Sequence, residues 1–145
     1  MSEFYDAVGD TTSFSKTVGE YDVYAFAGIS GDFAPNHVNK AYMEKSSYGR
    51  LIAHGALLVG YMSRASTMIC DKCGPLMAGY LPVSLGYDRV RFLHAVLIGD
   101  TITINYTVSD ADPAKFRTLA DVEVRNQEGS LCAVATHIMR WIARS

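Results

Sequence analysis

An aspartate and a histidine lie five residues apart in the segment Ser30-Gly31-Asp32-Phe33-Ala34-Pro35-Asn36-His37. The glycine and the proline keep this stretch from forming a regular helix, so we predict a loop over residues 30–37 that turns both side chains toward one point. A carboxylate and an imidazole directed at one water molecule suffice for general acid–base chemistry near neutral pH. Asp32 and His37 are therefore candidate catalytic residues, although each alone would be an ordinary turn or structural residue.

A His-Gly pair follows in Leu51-Ile52-Ala53-His54-Gly55, immediately before a strongly apolar helical pattern. The first N–H groups of a helix have no partner within it, and such donors stabilise negative charge that develops on a carbonyl oxygen. Gly55 has no Cβ, so a carbonyl can approach its N–H, and it is a third candidate catalytic residue. Close packing of helix against sheet is the structural alternative. An acid–base pair with an oxyanion donor is the combination needed to add water to a thioester-activated double bond, or to remove it.

The helices and strands around these residues can be predicted from the spacing of apolar residues along the chain. From Gly55 to about Ile69 the apolar residues recur at intervals of three and four, and we expect a sheet to wrap around this helix. Gly74-Pro75 is predicted to end the segment. We also predict a short strand over 14–18, a helix over 21–29 and a short helix over 39–46.

The second half of the chain is rich in Val, Ile, Thr, Tyr and Leu, with period-two stretches separated by turn signals. The predicted strands are Leu81–Phe92, Thr101–Ser109, Phe116–Arg125 and Leu131–Trp141. Consecutive strands with short links predict an antiparallel meander. The whole chain, residues 1–145, is thus predicted to be a single α+β domain in which an antiparallel sheet is wrapped around a long central helix.

Composition narrows the class of protein. The net charge of −2 argues against a nucleic-acid-binding protein. No apolar run is long enough for a membrane span, and the first residues lack the pattern of a signal peptide, so the cytoplasm is the expected location. Hydrophobic residues make up 49% of the chain and charged residues 19%, which indicates apolar surface covered by a second subunit. We therefore expect at least a homodimer.

The segment Ser30–His37 resembles the S-G-D-x-N-P-x-H loop of the MaoC-type (R)-specific enoyl-CoA hydratases, which have the hot-dog fold. Ile52–Leu57 is similar to the I-x-H-G-x-L motif of that family. The later residues Val90–Phe92, Val96 and Gly99–Thr101 resemble its strand and turn F-x-x-P-V-x-x-G-D-x. Two positions depart from the pattern, because Ala34 replaces the asparagine before the proline and Ala95 replaces the proline before the valine.

This resemblance implies reversible hydration of a trans-2-enoyl-CoA to an (R)-3-hydroxyacyl-CoA, with coenzyme A as part of the substrate and no cofactor or metal. It implies a catalytic pair of Asp32 and His37 with Gly55 as the oxyanion donor. Four further residues are expected on the substrate side of the site: Ala34, Asn36, Arg50 and His54. Either Asn36 braces the loop in place of the missing asparagine, or Ala34 leaves room near the reacting carbons, and we favour the second option. Arg50 could meet coenzyme A phosphates or lie on a solvated face. His54 is predicted chiefly to anchor the segment before the helix.

Alternatives remain at this level. A thioesterase of the same fold would direct water at the carbonyl carbon, and a catalytically silent acyl-thioester-binding subunit would only hold the ligand. Cys70-Asp71-Lys72-Cys73 could indicate zinc or redox chemistry, but we interpret it as two thiols at a helix end. His94 and His137 lie in strand patterns without an acidic neighbour at a useful spacing, and both are predicted to be structural.

Overall fold

The computed structural model describes residues 1–145 and contains six α-helices and five strands. The helices are α1 (Ser2–Asp6), α2 (Glu20–Ser30), α3 (Pro35–Val38), α4 (Lys40–Glu44), α5 (Gly55–Cys70) and α6 (Gly74–Gly79). The strands are β1 (Thr11–Thr17), β2 (Tyr80–Phe92), β3 (Thr101–Asp112), β4 (Arg117–Arg125) and β5 (Leu131–Ala143). None of the helices is both long and apolar enough to cross a lipid bilayer.

The five strands form one antiparallel sheet in the order β1-β3-β4-β5-β2. The predicted meander is correct for β3, β4 and β5. It is wrong for β2, which pairs with β5 along the register from Tyr80↔Ala143 to Phe92↔Ala133. The reason lies in the link of residues 93–100, which is too long for a tight hairpin. This link pairs with the segment before α5 through the Ile52↔Leu97 bridge and carries the chain across to the far side of β4.

The long helix α5 packs against the concave face of this sheet, as predicted. Its buried apolar residues are Leu58, Met62, Ala65 and Ile69, each at most 3% exposed. From Thr101 to Val108 on β3 the burial alternates strictly, because successive side chains of a strand point to opposite faces. The apolar face of β3 (Ile102, Ile104, Tyr106 and Val108) belongs to the same core cluster as the α5 residues. The fold is therefore a sheet wrapped around a central helix.

Two proline-containing segments, at Pro35 and at Gly74-Pro75, begin helices where the sequence predicted a loop or a helix end. The loop predicted over residues 30–37 is wrong at its end, because Pro35 begins the short helix α3. Proline is favoured at the first position of a helix, where its missing N–H would have no partner in any case. In the same way, Gly74-Pro75 does not simply end α5. That helix stops at Cys70, and the pair begins α6.

The three cysteines and His137 are buried. Cys70, Cys73 and Cys132 are free thiols. Burial, followed by the nearby Asp10 carboxylate, raises the pKa of Cys73 to about 12, so the reactive thiolate is scarce near neutral pH. His137 is fully buried, and burial lowers its pKa to about 4, so it is neutral near pH 7. Its Nε2 forms a hydrogen bond with the Ser84 hydroxyl at 2.8 Å, and its Nδ1 forms one with the Tyr106 hydroxyl at 2.7 Å.

Candidate active site

The Asp32 carboxylate is placed by the turn that follows α2. Gly31 ends the helix with φ of 81°, a left-handed conformation that glycine adopts at no steric cost. The Asp32 N–H then donates to the Ser30 hydroxyl at 3.1 Å, and the Ala34 N–H donates to Asp32 Oδ1 at 3.2 Å. This second contact is a local side-chain turn of the kind that aspartate favours. It fixes the carboxylate just before α3 and leaves its other oxygen available.

His37 lies on α3 and is only 8% exposed. Its Nδ1 contacts the backbone carbonyl of Ile52 at 2.7 Å. Because a carbonyl oxygen only accepts, Nδ1 carries the proton, and Nε2 of the neutral ring is left with a lone pair. A ring nitrogen of His37 and a carboxylate oxygen of Asp32 lie within 4.8 Å of each other. One water molecule can hydrogen-bond to both at that separation.

His54 is the third member of a cluster with Asp32 and His37, and it is buried. Its Nε2 contacts the backbone carbonyl of Asp32 at 2.9 Å, and its ring stacks on that of His37 with centroids 3.7 Å apart and planes 24° from parallel. A carboxylate and two histidines so close together are a possible ligand set for a metal ion. The lone pairs of the stacked rings, however, lie in planes only 24° from parallel, whereas an ion shared by two imidazoles must lie close to both ring planes. The arrangement does not suit an ion held by both histidines.

Gly55 is the first residue of α5, and its N–H makes no hydrogen bond within the chain. A Cβ at this position would lie 2.5 Å from the ring of Phe92. Contacts that short do not occur, so any side chain at residue 55 would displace the ring. The absence of a side chain therefore serves close packing, and the N–H remains free to donate to a ligand.

A cleft of about 330 Å³ opens beside His37 and Gly55. Its lining is mainly apolar and includes no charged side chain. The lining residues are Asn36, His37, Tyr48, Ile52, Ala53, Gly55, Leu58, Phe92, Leu93, His94, Ala95 and Val96. Such a cleft, with a few polar groups at one place, is typical of a small-molecule site.

The candidate residues from the sequence are only partly brought to this cleft. Asn36 lines it, whereas Ala34 lies at the N-terminal end of α3. His54 is 2% exposed and lies behind the lining, so its predicted anchoring role fits better than substrate contact. Arg50 lies in a separate depression, where its guanidinium donates to the Ile98 carbonyl at 3.2 Å.

Most of the cleft residues were not among the site residues predicted from the sequence, and His94, Phe92 and Tyr48 are examples. His94 was predicted to be structural, yet it is exposed and lines the cleft just after β2. Phe92 belongs to the quoted F-x-x-P-V motif, and that motif was the signal that could have placed it here. Tyr48 lies in the irregular segment before α5 and carries no pattern that indicates its position.

Comparison with known proteins identifies the family. Residues 4–130 match the model of the MaoC-like domain. An (R)-specific enoyl-CoA hydratase from Rhodospirillum rubrum is 36% identical over 118 residues, which cover 79% of this chain and 76% of the relative. A second (R)-specific enoyl-CoA hydratase, from Aeromonas caviae, is 27% identical over 92% of this chain and 93% of its own.

Solved structures agree with this assignment. The R-hydratase of Pseudomonas aeruginosa superposes with a TM-score of 0.78 and 26% identity, covering 94% of this chain and 83% of the other. The A. caviae (R)-hydratase gives a TM-score of 0.77 and 27% identity over 92% of this chain and 95% of its own. The fold is the hot-dog fold. The chain belongs to the MaoC-like dehydratase family and is an enzyme of the hydro-lyase class.

Proposed function

We propose that this protein catalyses the reversible addition of water to a trans-2-enoyl-CoA, giving an (R)-3-hydroxyacyl-CoA. The observation that carries the proposal is the Asp32 carboxylate within 4.8 Å of the His37 ring. His37 in turn lines an apolar cleft together with Gly55, whose N–H is unpaired. An acid–base pair and an oxyanion donor are the groups that this reaction requires. Relatives named as (R)-specific enoyl-CoA hydratases support the same reaction.

In the proposed mechanism the thioester carbonyl lies against the Gly55 N–H, which stabilises the enolate oxygen as negative charge develops there. Asp32 accepts a proton from water while the water oxygen forms a bond to C3. His37 orients that water through the Nε2 lone pair, receives there the proton that Asp32 took from the water, and passes it to C2, which closes the addition and returns both groups to their starting states. The two groups lie close together and share these proton transfers.

The reaction as proposed needs neither metal nor redox cofactor, because the thioester itself activates the double bond. The stacking of His37 on His54 supports this, since it disfavours a shared ion. Coenzyme A enters only as part of the substrate. Arg50, outside the cleft, is proposed to meet its phosphate groups, and Asn36 is proposed to contact the acyl thioester within the cleft.

The lining of the cleft also bears on the acyl group. A free carboxylate on the acyl chain would enter an apolar cleft that has no lysine or arginine to pair with it. We therefore propose a linear or branched hydrocarbon acyl group rather than a dicarboxylic one. A hot-dog thioesterase and a silent acyl-thioester-binding subunit are the competing functions.

One assay with crotonyl-CoA separates these functions. Hydration removes the absorbance of the conjugated enoyl thioester and releases no free thiol. A thioesterase would release coenzyme A, which a thiol reagent detects. A silent subunit would change neither signal. Loss of the enoyl absorbance without thiol release supports the proposal, and either of the other two results contradicts it.

Assembly gives a first testable prediction. Strand β2 pairs with β5 on one side only, so a 13-residue edge (Tyr80–Phe92) is free to pair with another chain. Phe92 and Leu93, at the end of this edge, line the cleft, yet they are 54% and 56% exposed. A second subunit would cover them. We expect light scattering at micromolar concentration to give about 32 kDa or a multiple, twice the 15.9 kDa of one chain. A fully active monomer would contradict this.

Ala34 provides a second prediction, on specificity. Asparagine stands at this position in the family motif, and its side chain would take up space that the methyl group of alanine leaves free. The Ala34 N–H already bonds to Asp32, so the turn has a brace without a side-chain amide. We expect Ala34→Asn to lower kcat/KM for enoyl-CoAs branched at C2 or C3 roughly tenfold more than for crotonyl-CoA. Equal losses on linear and branched substrates would show that Ala34 does not provide this space.

A further inference from the structure

Asp32 and His37 are held together by hydrogen bonds between two segments, residues 32–37 and residues 52–54, and each segment donates to the other. From the first segment, His37 Nδ1–H donates to the carbonyl of Ile52 at 2.7 Å. From the second, His54 Nε2–H donates to the carbonyl of Asp32 at 2.9 Å. Between them, the Ile52 N–H donates to the Asn36 carbonyl at 3.0 Å. We name the set Asp32, His37, Ile52 and His54 the histidine clasp.

The His54 ring also supports the clasp by packing. It stacks on the His37 ring with centroids 3.7 Å apart. On the Phe26 side the two ring centroids are 4.7 Å apart and the ring planes are tilted by 57°. His54 is 2% exposed, and its Nδ1 has no hydrogen-bond partner. The Nε2 hydrogen bond is therefore the one polar tie of the His54 side chain. The ring does not reach the cleft, so any effect on chemistry passes through Asp32 and His37.

We infer that His54 is a positioning residue that sets the separation between the Asp32 carboxylate and the His37 ring. The inference rests on the proposed function, in which that pair handles the water. A misplacement of about 1 Å in reacting groups can cost roughly 10²-fold in rate. The acyl group is proposed to contact the residues that line the cleft, and His54 is not one of them. Loss of the His54 hydrogen bond is therefore expected to lower kcat and to leave KM nearly unchanged.

Two substitutions separate the hydrogen bond from the ring. His54→Phe keeps a ring that can stack on His37 but removes the donor to the Asp32 carbonyl. His54→Gln keeps an N–H of similar reach and removes the ring. We expect His54→Phe to lower kcat on crotonyl-CoA roughly 10- to 100-fold with KM within about twofold of wild type. We expect His54→Gln to recover kcat to within about fivefold of wild type, because the donor is restored.

His137→Phe is the matched control, because it also replaces a buried histidine that makes hydrogen bonds, at a position outside the cleft. This variant should melt at a lower temperature and keep kcat within about twofold of wild type, since its cost is one of stability. A wild-type kcat in His54→Phe overturns the inference. So does a His54→Gln variant that is as slow as His54→Phe, because the donor would then not matter.

A measurement on the wild-type protein tests the clasp even if a variant fails to fold. Nitrogen-15 NMR of the imidazole side chains reports which ring nitrogen carries the proton. The clasp requires the Nε2–H tautomer for His54 and Nδ1–H for His37. The Nδ1–H tautomer in His54 would overturn the inference, because Nε2 could not then donate to the Asp32 carbonyl. If wild-type protein with the expected tautomers failed to hydrate crotonyl-CoA, the proposed function would fail and the clasp would stand.

Discussion

Asp32→Asn and His37→Gln are each expected to lower kcat for crotonyl-CoA by at least ~10²-fold, the scale of general acid–base catalysis. Asparagine retains the Oδ1 that accepts the Ala34 N–H, so the turn keeps its shape, but it does not take a proton from water. Glutamine can donate to the Ile52 carbonyl in place of His37, but it cannot deliver a proton to C2. Steady-state loss of the enoyl absorbance measures both effects.

Asp121→Asn on β4 is the matched control, because Asp121 is an exposed carboxylate on the outer face of the sheet. It should keep wild-type turnover, and circular dichroism should show all variants folded. The double variant of Asp32 and His37 should be little slower than the slower single variant, since the two act as a unit. Near-wild-type turnover in either single variant would mean that the pair does not carry the chemistry.

Removal of the Gly55 N–H is expected to have an effect of similar size. Proline lacks the N–H and is favoured at the first position of a helix. His54 has φ of −61° and ψ of 135°, the extended conformation that a residue before proline prefers, so Gly55→Pro is compatible with the backbone. We expect kcat to fall about 10²–10³-fold relative to Gly55→Ala, which keeps the N–H, as when an oxyanion donor is lost.

Both substitutions at residue 55 add a Cβ that meets the Phe92 ring. The comparison is therefore best made in a Phe92→Ala background, which removes the collision equally from both variants. Turnover is measured with crotonyl-CoA, and thermal unfolding checks that the two proteins are equally stable. Equal kcat values for the alanine and proline variants would show that the N–H does not contact the reacting carbonyl.

The parts of the fold that the sequence predicts correctly are those governed by local periodicity. The three- and four-residue spacing of apolar residues located α5, and the period-two pattern located β3. The site could be approached in the same way, because a Gly-Pro-containing segment and a His-Gly helix start are local signals. These signals identified His37 and Gly55, which the structure places at one cleft.

The parts that were missed depend on contacts between residues distant in the chain. No local pattern distinguishes the pairing of β2 with β5 from a hairpin with β3, because the path of the link 93–100 is set by the Ile52↔Leu97 bridge. The packing of Phe92 on Gly55 joins residues 37 positions apart, and it explains the glycine in a way that spacing alone does not. The bond from His54 to the Asp32 carbonyl likewise has no sequence signal.

The configuration of the product tests the proposed reaction most directly. Wild-type protein is incubated with crotonyl-CoA, and the 3-hydroxybutyryl-CoA formed is hydrolysed and separated on a chiral column. A single face of the double bond meets the water held by Asp32 and His37, so we expect one enantiomer. Because the relatives are named as (R)-specific hydratases, we expect it to be the (R) product. The (S) product, a racemic mixture, or no hydroxyacyl product would contradict it.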